Sequence, residues 1–267
     1  HRGGVLKPPV LLVHGMWSTP ATFSRLRTAL EAAGHQTLAP MLPWHDRDAS
    51  LPPPAALGQV SITAYVDHIV AESAKLPGPP VILGHSMGSL VAQLAAMRMP
   101  HVGLVLLSPA AAANTQAPGL NPLRTLKGVI SRWGWWEKPT LCDAAGARWG
   151  IFNNVPPAVA DHEIAALVWD SGRVLAEMAF PFLHGNITRV DHERLTQPAL
   201  IVVGSDDRIT PPAIARATAR KLAGRIDYHE LTGPGHWLFH DPVLGQVATL
   251  ITDWLAALAT EGAAGRA

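Results

Sequence analysis

The sequence predicts an α/β protein whose mostly parallel sheet is covered by helices on both faces. Three observations indicate this class. Short apolar runs bounded by Gly or Pro alternate with longer segments of helical periodicity. These runs are rich in Val, Ile and Leu and lack inward/outward alternation, which is typical of strands that are buried on both sides. The 267 residues suffice for one large domain with a full core, or for a domain that carries an insertion.

Strands and helices alternate regularly along the first 110 residues. The predicted strands are 9–15, 35–42, 79–86 and 102–110, and the predicted helices are 19–34, 61–76 and 87–99. The first helix has a Thr cap, Pro20 in its first turn and Gly34 as its stop, and the second follows the cap Ser61. The alternation returns near the C-terminus, with strands at 198–207 and 225–233 and helices at 211–223 and 243–258.

Residues 111–197 interrupt this alternation. The stretch lacks a strong buried strand and predicts short helices joined by turns that contain Pro and Gly. It is too long for an ordinary loop. We therefore expect an α/β core formed by residues 1–110 and 198–267, and a helical cap formed by residues 111–197.

Five of the nine tryptophans fall within the expected cap. Such side chains can form the core of the cap, or some of them can line an apolar pocket that faces the sheet. Trp17, which follows the first strand, can shape the same pocket. The candidate substrate-binding residues are therefore Trp17, Trp133, Trp149 and Trp169.

The charge pattern argues against a polyanionic partner. There are 21 basic and 20 acidic residues, which leaves a net charge of +1, and the chain has no dense Lys/Arg run. We therefore expect no nucleic-acid partner. The small-molecule substrate that we expect follows from the motifs described below. The oligomeric state is left open.

The single cysteine excludes a disulfide framework and a cysteine-rich zinc site. Cys142 lies in "TLCDAAGAR", where no glycine turn would present it as a nucleophile, so we expect a packing residue. No His, Cys and carboxylate side chains share the spacing of metal ligands, so we expect neither metal nor cofactor.

No uninterrupted apolar stretch reaches the length of a membrane span, and the first 15 residues lack a signal-peptide pattern. The expected location is therefore cytoplasmic. Because the first residue is His rather than Met, a removed N-terminal leader stays open.

A serine stands at the junction of the third strand and the third helix. Gly84-His85-Ser86-Met87-Gly88 fits the pattern G-x-S-x-G, in which glycines relieve crowding around a sharp turn. The turn holds the hydroxyl clear of the sheet, at the N-terminus of a helix whose N–H groups can bind an oxyanion. Ser86 is therefore the candidate nucleophile. A serine hydroxyl needs a base, and that base needs an orienting carboxylate.

Together with two further motifs, the serine pattern resembles the α/β-hydrolase superfamily, in its serine esterase and lipase-like branch with a helical cap. The resemblance extends from Pro9 to about Leu258. The fifth strand ends in "VVGSDDRITP", where Asp206 and Asp207 compete for the acid. The spacing Gly-x-x-Asp-x-x-x-Pro of the superfamily, matched by Gly204 and Pro211, implies Asp207.

The resemblance also implies the base. The superfamily places its His in a Gly-rich loop before the last helix, and His236 follows Gly-Pro-Gly there. His240 lies four residues later, and His85 adjoins the nucleophile but is expected to point away from it. The order Ser86, Asp207, His236 agrees with the Ser–acid–His order of the superfamily.

An oxyanion hole requires two N–H donors. The N–H of Met87, the residue after the nucleophile, supplies one. The resemblance places the second in the residue after His-Gly in "VHGMWSTP", which is Met16, with Trp17 as the near alternative.

These residues predict a serine hydrolase of the carboxylesterase type, which acts on esters of apolar substrates through an acyl-enzyme. The serine argues against the related haloalkane dehalogenases and epoxide hydrolases, which use Asp at this position. A lactonase, a C–C bond hydrolase, a thioesterase, an acyltransferase and a perhydrolase share the same triad and stay open. A non-catalytic ligand receptor on the same fold is an alternative from another class.

Overall fold

A computed structural model describes residues 7–265 and shows a six-stranded parallel sheet. The strands in chain order are β1 (Val10–Val13), β2 (Thr37–Leu38), β3 (Val81–His85), β4 (Gly103–Leu107), β5 (Pro139–Thr140), β6 (Asp170–Ser171), β7 (Ala199–Gly204) and β8 (Ile226–Leu231). All except β5 and β6 form one sheet in the order β2-β1-β3-β4-β7-β8, and every neighbouring pair is parallel. The predicted fold class is confirmed.

Helices cover this sheet on both faces. The α-helices of the described residues are, in chain order, α1 (Ser24–Ala32), α2 (Ile62–Glu72), α3 (Met87–Ala96), α4 (Asn121–Thr125), α5 (Lys127–Ile130), α6 (Ala144–Gly150), α7 (Pro157–Ala165), α8 (Gly172–Ala179), α9 (Pro212–Lys221) and α10 (Val243–Ala264). Ser61 caps α2 by accepting from the N–H of Thr63. The predicted helix at 19–34 begins instead as a short 3-10 turn, Pro20–Phe23, and becomes α-helical at Ser24.

The strand side chains enter two apolar layers, one on each face of the sheet. In β1, for example, Val10 and Leu12 belong to one layer, whereas Leu11 and Val13 belong to the other. All four are fully buried. Burial on both faces explains why the strand sequences show no polar alternation.

The last helix has a property that the sequence did not suggest. Residues Val243–Glu261 of α10 are long and apolar enough to cross a membrane, by length and composition alone. The helix packs against α1 and β7, and its side chains Val247, Ile251 and Leu255 are fully buried. The expectation of no membrane span therefore stays a prediction. The question of a leader falls on residues 1–6, which lie outside the described residues.

Residues 108–198, which we call the insertion, connect β4 to β7. They contain α4 to α8 and a short antiparallel ladder between β5 and β6 that the sequence did not predict. Ile151 and Phe152 of the insertion join the same apolar layer as Leu12 and Trp237 of the sheet region. The division into a core and a cap at residues 111 and 197 stays a prediction.

Candidate active site

Ser86 occupies a strained turn between β3 and α3. Its φ of 57° and ψ of −122° are uncommon for a residue with a side chain. Neighbouring backbone closes in on both sides. A Cβ on Gly84 would lie 2.2 Å from the carbonyl oxygen of Gly88, and a Cβ on Gly88 would lie 2.0 Å from that of Val13. Both positions of the sequence pattern therefore require glycine for steric reasons.

Asp207 lies just beyond the carboxyl end of β7 and is buried. Its Oδ1 accepts from the N–H groups of Ile209 at 3.1 Å and Thr210 at 2.8 Å, and its Oδ2 lies 2.8 Å from His236 Nδ1. The neighbouring Asp206 is exposed and accepts instead from the Asn154 side chain at 2.9 Å. Of the two aspartates, only Asp207 contacts this histidine.

Thr210 completes the contact between the carboxylate and the imidazole. Its hydroxyl oxygen lies 3.1 Å from Asp207 Oδ2 and 3.0 Å from His236 Nδ1, and it is also 3.0 Å from the carbonyl oxygen of Ser108. Sequence reasoning missed this residue. The signal was its position three residues after the aspartate, where a short polar side chain can bond back to it.

His236 is held through its backbone as well as through its ring. Its carbonyl oxygen accepts from Ser108 Oγ at 2.9 Å and lies 3.1 Å from His85 Nε2. Burial, together with the neighbouring His236 ring, lowers the pKa of His85 to about 3, so His85 is neutral and donates this bond. His85 thus contacts the candidate base rather than standing apart from the site.

Ser86 and His236 line the same small cavity of about 40 Å³, together with Met16 and Trp17. Among the described residues, no hydrogen bond joins Ser86 Oγ to the imidazole. Catalytic hydrogen bonds are often long or poorly aligned before substrate binds, so this geometry is compatible with a nucleophile and its base.

The loop after β1, which we call the oxyanion loop, contains both candidates for the second oxyanion donor. The N–H of Trp17 donates to Asp170 Oδ2 at 3.1 Å and is therefore occupied. The N–H of Met16 has no hydrogen-bond partner within residues 7–265. The N–H of Met87 opens α3, where the first four N–H groups lack partners within a helix. Met16 and Met87 are thus the available donors.

Asp170 is the centre of a fully buried polar cluster behind this loop. Its carboxylate lies 2.7 Å from His45 Nε2 and accepts from the hydroxyl of Tyr65 and the N–H of Ser171. Burial disfavours the charged forms of both His45 and Asp170. The ion pair and its hydrogen bonds nevertheless raise the pKa of His45 and lower that of Asp170. The cluster joins the insertion to the oxyanion loop, the loop after β2, and α2.

A larger cavity of about 350 Å³ opens beside Ser86. Its walls are mainly apolar and come from the oxyanion loop, the insertion and the segment after β7, with Trp17, Leu175 and Met178 among them. Such a cavity suits a small apolar molecule. No group of three or more His, Cys, Asp or Glu that could hold a metal occurs in the described part of the chain.

Three of the four candidate tryptophans do not line this cavity, because other contacts position them. Trp133 is 84 % exposed and packs edge-on against Trp136. The ring of Trp149 is covered by arginine side chains. Trp169 donates its indole N–H to the carbonyl of Ala49 and borders a separate cavity. Only Trp17 reaches the space beside Ser86.

Comparisons with known proteins agree with this geometry. Residues 10–248 match the model of the "Alpha/beta hydrolase family". A monoacylglycerol lipase from Paleococcus ferrophilus is 25% identical, with a TM-score of 0.68 over 95% of this chain and 97% of that one. A pyrethroid hydrolase from Sphingobium faniae JZ-2 is 18% identical, with a TM-score of 0.64 over 94% and 98%.

An extracellular alpha/beta-hydrolase from a Paenibacillus species is 16% identical, with a TM-score of 0.69 over 92% of this chain and 98% of that one. The comparison with curated proteins returned no match. The family match covers most of the chain, including all six strands of the main sheet. The chain belongs to the α/β-hydrolase family and is a hydrolase.

Proposed function

We propose that this hydrolase cleaves carboxylic esters with an apolar acyl or alcohol part through an acyl-enzyme on Ser86. The main support is the 2.8 Å contact between His236 Nδ1 and Asp207 Oδ2 beside the cavity that Ser86 lines. With Nδ1–H donated to the carboxylate, Nε2 is the acceptor that takes the serine proton.

In the first half-reaction, Ser86 Oγ attacks the ester carbonyl carbon while its proton passes to His236 Nε2. The N–H groups of Met16 and Met87 bind the oxyanion, and one such donor typically contributes a factor of about 10² to 10³ in rate. The C–O bond then breaks, and His236 gives its proton to the departing alcohol. In the second half, His236 activates water, which releases the acid and restores Ser86.

The apolar cavity of about 350 Å³ supports a small substrate with an apolar part. The names of two similar proteins, a monoacylglycerol lipase and a pyrethroid hydrolase, agree with this class. We infer a carboxylesterase-like specificity from these two observations together.

The test combines covalent labelling with turnover. We expect a fluorophosphonate probe to label the wild type, and a series of p-nitrophenyl esters to be hydrolysed. Ser86→Ala should lose both while keeping the wild-type circular dichroism spectrum, whereas Ser131→Ala, at an exposed serine, should keep both. Turnover that survives in Ser86→Ala contradicts the proposal. A wild type that neither reacts nor turns over any ester would instead favour a binding protein.

A further inference from the structure

One charged residue lines the larger cavity beside Ser86. The described residues that form its walls are otherwise apolar or uncharged, and the exception is Arg208. It directly follows Asp207 and is half-buried, so its guanidinium is partly shielded from water. A charge at such a wall acts over the cavity more strongly than a fully solvated one.

The guanidinium of Arg208 packs against an indole ring that the guanidinium of a second arginine also contacts. Its Cζ lies 4.4 Å from the ring centroid of Trp149, and the Cζ of Arg124 lies 4.1 Å from the same centroid. Arg208 also donates one N–H to the carbonyl of Trp149 at 2.9 Å. Stacking on an indole leaves the edge of a guanidinium free, so further N–H donors remain on both arginines.

Neither arginine has an acidic partner in the described part of the chain. Eight other arginines pair with Asp or Glu, namely Arg25, Arg98, Arg148, Arg173, Arg189, Arg194, Arg216 and Arg225. Two like charges beside one ring repel each other. An anion that binds beside them would reduce that repulsion and gain charge-assisted hydrogen bonds.

We propose that Arg208 and Arg124 form an anion subsite, and that the substrate is an ester which carries a carboxylate or a phosphate beyond its apolar part. The proposal rests on the hydrolase function above, since it places the scissile bond at Ser86. Arg124 precedes the cavity-lining Leu126 and is exposed, which puts it toward solvent, whereas Arg208 lies within the wall. The fork of a guanidinium matches both anionic groups.

Matched ester pairs test the subsite. p-Nitrophenyl hemiesters of dicarboxylic acids with four to eight carbons would be compared with neutral p-nitrophenyl esters of equal chain length. At one chain length we expect the wild type to prefer the anionic member by about tenfold or more in kcat/KM. This is the factor that a hydrogen bond to a charged group typically contributes. Added salt should reduce that preference. Inhibition of neutral-ester hydrolysis by alkyl carboxylates and by alkyl phosphates would show which anion is preferred.

Arg208→Gln and Arg124→Gln should each lose most of the preference, chiefly through KM. Arg124→Gln, which lies outside the cavity wall, should also keep neutral-ester turnover within about twofold. Arg220→Gln, at an exposed arginine on α9, is the control and should change neither. Because Arg208 adjoins Asp207, Arg124→Gln tests the subsite independently of the triad. Equal or faster hydrolysis of the neutral member at every length overturns the subsite. An equal loss on both members in both variants also overturns it. Absence of all hydrolysis and of phosphonate labelling would instead reject the hydrolase proposal.

Discussion

The backbone N–H of Trp17 donates to Oδ2 of Asp170 across 3.1 Å, so a residue of the insertion holds the loop that contains Met16. Two more hydrogen bonds also join Trp17 to the insertion. The carbonyl of Trp17 accepts from the N–H of Val168 at 2.9 Å, and its indole N–H donates to the carbonyl of Thr140 at 3.1 Å. Trp17 has a φ of 61°, a left-handed conformation that needs such support. The shape of the oxyanion loop therefore depends on the insertion.

Asp170→Asn should impair catalysis and stability together. The new amide nitrogen cannot accept a bond. If it takes the place of Oδ2, Trp17 and His45 both lose their acceptor, and if it takes the place of Oδ1, Tyr65 and Ser171 lose theirs. In either orientation His45 loses its counter-ion. Breaking one member of a buried ion pair typically costs about 3–5 kcal/mol in free energy of unfolding. A small displacement of Met16 can lower kcat by as much as about 10². Steady-state kinetics and urea denaturation measure both effects.

Asp161→Asn is the matched control, because the partner of Asp161, Arg148, is also on the surface. An exposed pair of this kind is worth at most about 1 kcal/mol, and kcat should not change. Equal behaviour of the two variants would contradict a role for Asp170 in holding the loop.

The two neighbouring aspartates should differ sharply in their effect on turnover. Asp207→Asn removes the acceptor that fixes the orientation and tautomer of the His236 ring, and the analogous change in a serine triad lowers kcat by about 10⁴. Asp206→Asn alters an exposed group bonded to Asn154 and should change kcat by less than about threefold. Measured kcat values for the two variants on one p-nitrophenyl ester decide the matter, and the reverse ranking would exchange their roles.

The parts of the site that follow a strand end could be predicted from sequence, and the parts that depend on packing between distant segments could not. Ser86, Asp207 and His236 each occupy a short motif with its own local geometry. The cluster around Asp170 has no such signal, because His45, Tyr65 and Asp170 come from separate segments and meet only in the folded chain. The wall of the cavity is equally a product of tertiary packing, which is why Trp133, although apolar, ended on the surface.

The glycines on either side of Ser86 should tolerate no side chain. Gly84→Ala and Gly88→Ala each force a methyl group to within 2.2 Å or less of a backbone oxygen, which cannot move as a flexible side chain could. We expect either variant to lose several kcal/mol in free energy of unfolding, or to fail to fold. Gly78→Ala is the control, since nothing lies within 4 Å of its added Cβ, and it should be neutral within about 0.5 kcal/mol. Thermal melting of the three variants would contradict the steric account if all gave the same midpoint.

Two buried neutral histidines should make the fold sensitive to acid. Burial, followed by the neighbouring His45, lowers the pKa of His14 to about 3, and burial with His236 does the same for His85. In the unfolded chain both titrate near the ordinary value of 6.5. Between these values the unfolded state binds more protons, so the free energy of unfolding rises with pH from about 3 to about 6.5 and falls on acidification.

His45 and Asp170 affect the free energy of unfolding at the two ends of this pH range. The pKa of His45 is raised in the folded protein. Its contribution to stability is therefore complete below pH 6.5 and is lost as the pH rises through the pKa of the folded state. The pKa of Asp170 is lowered, so its contribution is present above 3.8 and is lost as the pH falls through its folded value. Neither effect removes the slope between pH 4 and 6 that His14 and His85 produce, and to which His192 adds because burial lowers its pKa to about 4.

The measurement is the free energy of unfolding from urea titrations at pH 4 to 7, in the wild type and in His85→Asn. The variant lacks one of these histidines, so its slope in this range should be smaller by up to about 1.4 kcal/mol per pH unit, even though it is less stable at pH 7. A wild-type slope retained in His85→Asn would mean that the imidazole of His85 accepts a proton in the folded protein as readily as in the unfolded one. Its bond to the carbonyl of His236 would then not depend on a neutral ring.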